Sequence, residues 1–285
     1  MPYLHKLTCY ARLMRWDKPI GIYLCLWPAL WALWLASDGR PAWPLLLIII
    51  LGSVVVRSAG CVINDIWDRD LDHRVERTRH RPITSGQVSA KEALVLFGLL
   101  TLLALGLVSL LNPLSWIIAL FAGLMTALYP LAKRVTHLPQ VVLGFTFNTG
   151  ILIAYAATQN HLPPSAWLLY VTAICWTVAY DTMYALADKA DDLKVGIKST
   201  AILFSQYDKL IIGILQIAII ISLTILGLRL ALFPAFAFGL FIATGLFVYQ
   251  HYLIRHRHSA ACLKAFLNNH FVGLAIFLAL FVHFC

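Results

Sequence analysis

The chain has 285 residues, of which 61% are hydrophobic and only 12% charged, with a formal net charge of +9. Together with a mean hydropathy of +0.80, this composition excludes a soluble domain and identifies an integral membrane protein. The positive balance then reads as a basic rim facing anionic lipid, so the lipid bilayer is the expected partner and nucleic acid is excluded.

A helix crosses a ~30 Å hydrocarbon core with about 20 apolar residues. Runs of that kind lie in chain order at 20–36, 45–64, 91–111, 114–131, 140–158, 165–187, 210–228, 231–253 and 268–284. They predict an all-α, multi-span protein with nine transmembrane helices. With the N-terminus inside, the inner segments collect all of the 22 Lys and Arg residues except Arg40, Arg57 and Arg229, as the positive-inside rule requires. All of the 13 acids but Asp38 fall on or near the same side, so both signs of charge gather at one membrane face. The basic N-terminal stretch resembles a signal peptide, but eight further spans follow and no small-residue cleavage site precedes them, so an uncleaved first helix is expected. The lack of a transit-like N-terminus favours a bacterial cell inner membrane with the polar loops cytoplasmic. The six cysteines are scattered without a C-x-x-C pair and read as small apolar fillers.

Sliding the chain by about 120 residues places Asp68 on Asp188 and Asp72 on Asp192. That offset covers four spans. It predicts one domain over residues 1–285, built as two four-helix halves plus a ninth helix around a central cavity.

Asn64, Asp68 and Asp72 recur every four residues, which on a helix stacks three oxygen donors on one face about 6 Å apart. Asp181, Asp188 and Asp192 stand at i, i+7 and i+11 with Tyr184 between them, again on one face. Carboxylates at the ends of apolar helices are costly. Opposed across a cavity they repel, and a hard cation such as Mg2+, which takes carboxylates plus phosphate oxygens, resolves the conflict. No thiolate or histidine joins either group, which disfavours softer metals. The simpler alternative is that these acids solvate helix ends or pair with nearby arginines.

The patterns N-D-x-x-D-x-x-x-D over 64–72 and D-x-x-x-D over 188–192 resemble the two signature motifs of the UbiA superfamily of intramembrane prenyltransferases. Arg15-Trp16-Asp17-Lys18-Pro19-Ile20-Gly21 running into Leu26-Trp27-Pro28-Ala29-Leu30-Trp31, then Arg77-Thr78-Arg79-His80-Arg81-Pro82 with Ser85-Gly86, and Tyr180-Asp181-Thr182-Met183-Tyr184-Ala185 are similar to the branch of that superfamily acting on 4-hydroxybenzoate. The likeness spans nearly the whole chain, with no departure inside either acidic motif. It implies a nine-helix fold and Mg2+-dependent transfer of a prenyl group from a polyprenyl diphosphate to the ring carbon ortho to the hydroxyl of 4-hydroxybenzoate, in ubiquinone biosynthesis.

In that light Asn64, Asp68, Asp72, Asp188 and Asp192 are expected to hold Mg2+ against the diphosphate, where charge develops as the C–O bond breaks. Tyr184 lies among them as a substrate contact. Arg77, Arg81, Lys133, Arg134 and Lys198 are expected to complete the clamp, although each also satisfies the positive-inside rule. Arg57 is the basic residue inside a span, seven positions before Asn64 and thus about 10 Å deeper on the same face. It anchors the carboxylate of the aromatic acid or braces the acidic cluster, with an ion pair to Asp181 as the plainer alternative. Asp191, left over once the ligands are assigned, is a candidate proton acceptor or a solvated loop residue. Asn148, mid-span, bonds substrate or a neighbouring helix. Two other readings stay open: a superfamily enzyme with another aromatic or quinone-precursor acceptor, and a transporter, whose acids would lie near the bilayer midplane.

Overall fold

In the computed structural model, which describes residues 2–73 and 78–285, the chain is a bundle of α-helices: α1 (Pro2–Leu13), α2 (Ile20–Ala36), α3 (Trp43–Asp72), α4 (Ala90–Ser109), α5 (Pro113–Val135), α6 (Pro139–Phe147), α7 (Thr149–Gln159), α8 (Pro164–Val195), the single turn α9 (Thr200–Leu203), α10 (Asp208–Arg229), α11 (Ala235–Ile254) and α12 (Ser259–Phe284). The protein is an all-α, multi-pass membrane protein. Among the described residues, seven helices are long and apolar enough to cross a membrane: α3, α4, α5, the α6–α7 pair, α10 with the 3-10 turn before it, α11 and α12. Two helices on expected spans fall outside that set. α2 is apolar but has 17 residues, and the first half of α8 is diluted by Trp167, Tyr170, Thr172, Trp176, Thr177 and Tyr180. The reason for the dilution is position. α8 packs against α6, α7, α9, α10 and α12, so its neighbours are protein rather than lipid.

Local chemistry sets the helix ends. Prolines open α3, α5, α6 and α8, where the missing N–H has no intrahelical acceptor to lose. Ser89 and Glu92 form a reciprocal capping box at the start of α4, with Glu92 Oε2 accepting from Ser89 N at 2.8 Å and Ser89 Oγ accepting from Glu92 N at 3.2 Å. α8 stops where Gly196 turns left-handed at φ 79° and the Ile197 amide closes back on the Asp192 carbonyl at 3.0 Å. α3 and α8 have 30 and 32 residues, about 15 Å more than a ~30 Å core needs at 1.5 Å per residue. Their C-terminal turns therefore carry residues 64–72 and 188–192 toward the membrane boundary.

The expected span at 140–158 is broken at Asn148, between α6 and α7. The Asn148 Nδ2 donates to the Gly144 carbonyl at 2.8 Å and to Thr177 Oγ1 of α8 at 2.9 Å, so the side chain ties two helices together. Elsewhere buried polar side chains tie helices together in the same way. Trp176 Nε1 donates to Asn269 Oδ1 at 2.9 Å, and Gln216, Gln250 and Asn268 link α10, α11 and α12 in a chain of 2.9 and 3.0 Å bonds. α4 sits at the periphery, packed mainly on α3, with Leu94, Val95, Leu99 and Leu102 exposed toward lipid.

Candidate active site

The C-terminal halves of α3, α5 and α8, the start of α2, the helix α6, the N-terminal part of α12 around residues 263–267, and the α1–α2, α3–α4 and α8–α9 connections converge on a cavity of about 720 Å³. Among the described residues its walls carry seven cations (Arg12, Arg15, Lys18, Arg57, Arg81, Lys133 and Lys198) and seven carboxylates (Asp17, Asp65, Asp68, Asp72, Asp181, Asp188 and Asp192). Deeper, the wall turns apolar, with Ile20, Leu143, Phe147 and Phe266.

Both acidic motifs line this one cavity: Asn64, Asp68 and Asp72 from α3, and Tyr184, Asp188 and Asp192 from α8, with Arg57, Arg81, Lys133 and Lys198 beside them. Three expected site residues do not. Asn148 makes the helix contact described above. Arg134 donates to the Trp67 carbonyl at 2.5 Å, and Asp191 pairs with Lys194 at 3.1 Å. Arg77 lies outside the described residues.

Helical spacing puts Asn64 Nδ2 3.0 Å from Asp68 Oδ2, and Lys133 Nζ, at the end of α5, binds the same oxygen. The other Asp68 oxygen, Oδ1, is buried without a hydrogen-bond partner. Asp72 receives Arg81 Nη1 on both oxygens, at 3.1 and 2.9 Å. Asp65, only 1% exposed, received no role from the four-residue spacing because it stands one position off that face. The structure gives it one. It binds Arg15 Nη2 at 2.8 and 2.9 Å and Arg81 Nη1 at 3.0 Å. Arg15 reaches it because the turn closing α1, with Trp16 N on the Ala11 carbonyl at 3.0 Å, holds Arg15 left-handed at φ 61°, a conformation costing a non-glycine residue about 1 kcal/mol. Burial opposes the charge on Arg81, but the flanking Asp65 and Asp72 outweigh it and hold its guanidinium pKa above the usual value.

Arg57 sits deeper. Its guanidinium lies over the Phe147 ring at 5.1 Å, and its Nη1 donates to Cys61 Sγ at 2.9 Å. Its Nε is buried with no hydrogen-bond partner among the described residues, and no ion pair joins it to Asp181. The guanidinium fits only because residue 21 has no side chain: a Cβ on Gly21 would stand 2.3 Å from Arg57 Nε. Sequence reading quoted Gly21 at the end of the 15–21 stretch but gave it no role of its own.

The donor set is all oxygen, which suits a hard divalent cation, and the unpartnered Asp68 Oδ1 is a buried acceptor of the kind a cation would satisfy. Among the described residues no three His, Cys, Asp or Glu side chains stand close enough to hold a metal by themselves, so phosphate oxygens or water would have to complete the shell.

Comparison with known proteins gives a consistent result. A profile described as the UbiA prenyltransferase family matches residues 25–281. The chain is 51% identical over 271 residues to a 4-hydroxybenzoate octaprenyltransferase of Coxiella burnetii, covering 95% of this chain and 94% of that one. It is 50% identical to the protein of the same name from Aliivibrio fischeri, covering 97% of each chain. Among solved structures, a UbiA homologue from Aeropyrum pernix superposes with a TM-score of 0.80 at 20% identity, over 91% of this chain and 97% of that one. A UbiA homologue from Archaeoglobus fulgidus bound to GPP and Mg2+ superposes with a TM-score of 0.71 at 17% identity, over 96% and 99%.

Proposed function

Because the chain belongs to the UbiA prenyltransferase family, we propose that it transfers a polyprenyl group, octaprenyl by the names of its relatives, from the diphosphate to the ring carbon ortho to the hydroxyl of 4-hydroxybenzoate, in ubiquinone biosynthesis. The observation that carries this reading is one cavity holding both acidic motifs at its mouth and a lone arginine deeper in. That the acids of both motifs lie toward helix ends, rather than midway along them, favours an enzyme over a transporter.

In this proposal Asn64, Asp68, Asp72, Asp188 and Asp192 would hold Mg2+, which would supply positive charge against the departing pyrophosphate. Lys133, Arg81 and Lys198 flank the same anion, and Asp65 fixes Arg15 and Arg81 toward it, so little reorganisation remains at the moment of reaction. Arg57, which lines the cavity, anchors the acceptor's carboxylate. Ile20, Leu143, Phe147 and Phe266 keep water from quenching the allylic cation.

The membrane arrangement follows. We read α2 and α8 as spans too, giving nine crossings, with the N-terminus and the cavity mouth in the cytoplasm and the protein in a bacterial inner membrane, Mg2+ and prenyl diphosphate entering from the charged side. The pairing of α3 with α4 is matched by that of α8 with α10, which supports two four-helix halves closed by α12.

Membranes containing the protein, incubated with 4-hydroxybenzoate and octaprenyl diphosphate, should form prenylated hydroxybenzoate with Mg2+ and none with chelator. Lack of any metal-dependent prenylated product would overturn the proposal.

A further inference from the structure

The residue that should receive the acceptor's proton lies elsewhere than Asp191, which pairs with Lys194 away from the cavity. Of the acids that do line the cavity, Asp65 is held by Arg15 and Arg81 and Asp72 by Arg81, while Asp68, a member of the first metal motif, is held on Oδ2 by Asn64 and Lys133. Asp188 and Asp192 belong to the second metal motif, and Asp17 is exposed at the rim. Asp181 differs from all of these. It stands seven residues, about 10 Å, deeper along α8 than Asp188, lines the cavity, and makes no hydrogen bond or ion pair with any described residue.

Arg57 precedes Asn64 on α3 by the same seven residues, so the two helices bring one cation and one carboxylate, within electrostatic reach of each other but not hydrogen-bonded, to the same depth. A carboxylate that far into a membrane with no hydrogen-bond donor of its own is expensive, and a fold keeps one where a ligand's donor completes it. The complement of this pair is a rigid aromatic with an anion at one end and a hydroxyl at the other.

Building on the aromatic-acid reading above, we infer that Asp181 is a catalytic residue that takes the proton of the acceptor's phenolic hydroxyl. The ring carbon ortho to that oxygen then forms its bond to the first prenyl carbon as the C–O bond breaks, and the bonding electron pair leaves with pyrophosphate. The resulting dienone loses its ring hydrogen as a proton to pyrophosphate or solvent while its oxygen regains the proton from Asp181. In sum one ring hydrogen is exchanged for the prenyl group, and one proton departs. Arg57 and Asp181 together set which end of the ring faces the diphosphate, and hence which carbon reacts.

The test compares wild type, Asp181→Asn and Asp181→Glu in membranes, each with octaprenyl diphosphate and Mg2+, on 4-hydroxybenzoate and on its 3-fluoro derivative, a more acidic phenol with one ortho carbon still open. Loss of a general base costs on the order of 100-fold or more, so Asp181→Asn should lose about that factor in kcat with the KM for the prenyl diphosphate nearly unchanged. The ratio of wild type to variant should shrink on the fluorinated acceptor, and Asp181→Glu should lose less than Asp181→Asn. Asn and Glu variants equally impaired, a ratio indifferent to phenol acidity, or an Asn variant as active as wild type would each overturn the assignment while leaving the aromatic-acid reading intact. A wild type that prenylates neither acceptor would overturn that reading and the base with it.

Discussion

Gly21→Ala should impair use of the aromatic acid alone. The added methyl would stand 2.3 Å from Arg57 Nε, 2.5 Å from Nη2 and 2.8 Å from Cζ, so to regain ordinary van der Waals separation the guanidinium must retreat by about 1 Å. It cannot retreat freely, since Cys61 and Phe147 hold its other edge and face. The helix itself loses nothing, because alanine is a better helix former than glycine by about 1 kcal/mol. A hydrogen bond between charged groups is worth about 1.5–3 kcal/mol, and displacement by 1 Å forfeits much of it. The expected result is a roughly 10- to 100-fold fall in kcat/KM for 4-hydroxybenzoate, with the KM for the prenyl diphosphate and the thermal midpoint preserved. Steady-state assays varying each substrate separately, on protein checked for an unchanged Tm, make the measurement. Wild-type acceptor kinetics in a folded Gly21→Ala protein would refute the assignment of Arg57 as the acceptor's anchor.

Asp65→Ala leaves Arg15, and in part Arg81, as buried charge without its counter-ion, so the protein should lose about 3 kcal/mol of stability and bind prenyl diphosphate more weakly; a Tm in detergent equal to that of wild type would show that this carboxylate is not the hub described. Among the described residues the cavity carries seven cations and seven carboxylates, so a diphosphate or a metal added alone shifts that balance. Calorimetry should therefore find Mg2+ bound at least about tenfold more tightly with prenyl diphosphate present than without, as coupling of this kind usually amounts to 1–3 kcal/mol, and equal affinities would contradict the charge accounting.

Helical periodicity made much of the site readable in advance. Spacing at i, i+4 and i+8 fixes which side chains share a face, so Asn64, Asp68 and Asp72 could be grouped from sequence, and the cost of a cation in a span marked Arg57. What escaped depends on tertiary crossings with no periodic signature. Asp65 acquires its role only because a left-handed residue at the end of α1 swings Arg15 across to α3. Gly21 matters only because α2 crosses α3 level with Arg57. Arg134 looked as good as Lys133 on paper, since neighbouring positions on a helix point about 100° apart and only the packing decides which one meets the cavity. The break at Asn148 was hidden because an apolar run read by length alone does not register one amide that bonds a neighbouring helix in preference to continuing its own.

The peripheral placement of α4 ties the site to its solvent. Almost none of that helix is covered by protein, so acyl chains supply most of its packing. Yet its first turn grips α1 through Glu92, which meets Lys6 at 2.8 Å and Tyr10 at 3.2 Å, and α1 delivers Arg15 to Asp65. Stripping annular lipid during extraction would thus loosen the entry side of the diphosphate site before it disturbed the tryptophan-lined centre, and a preparation could keep its fold while losing its turnover.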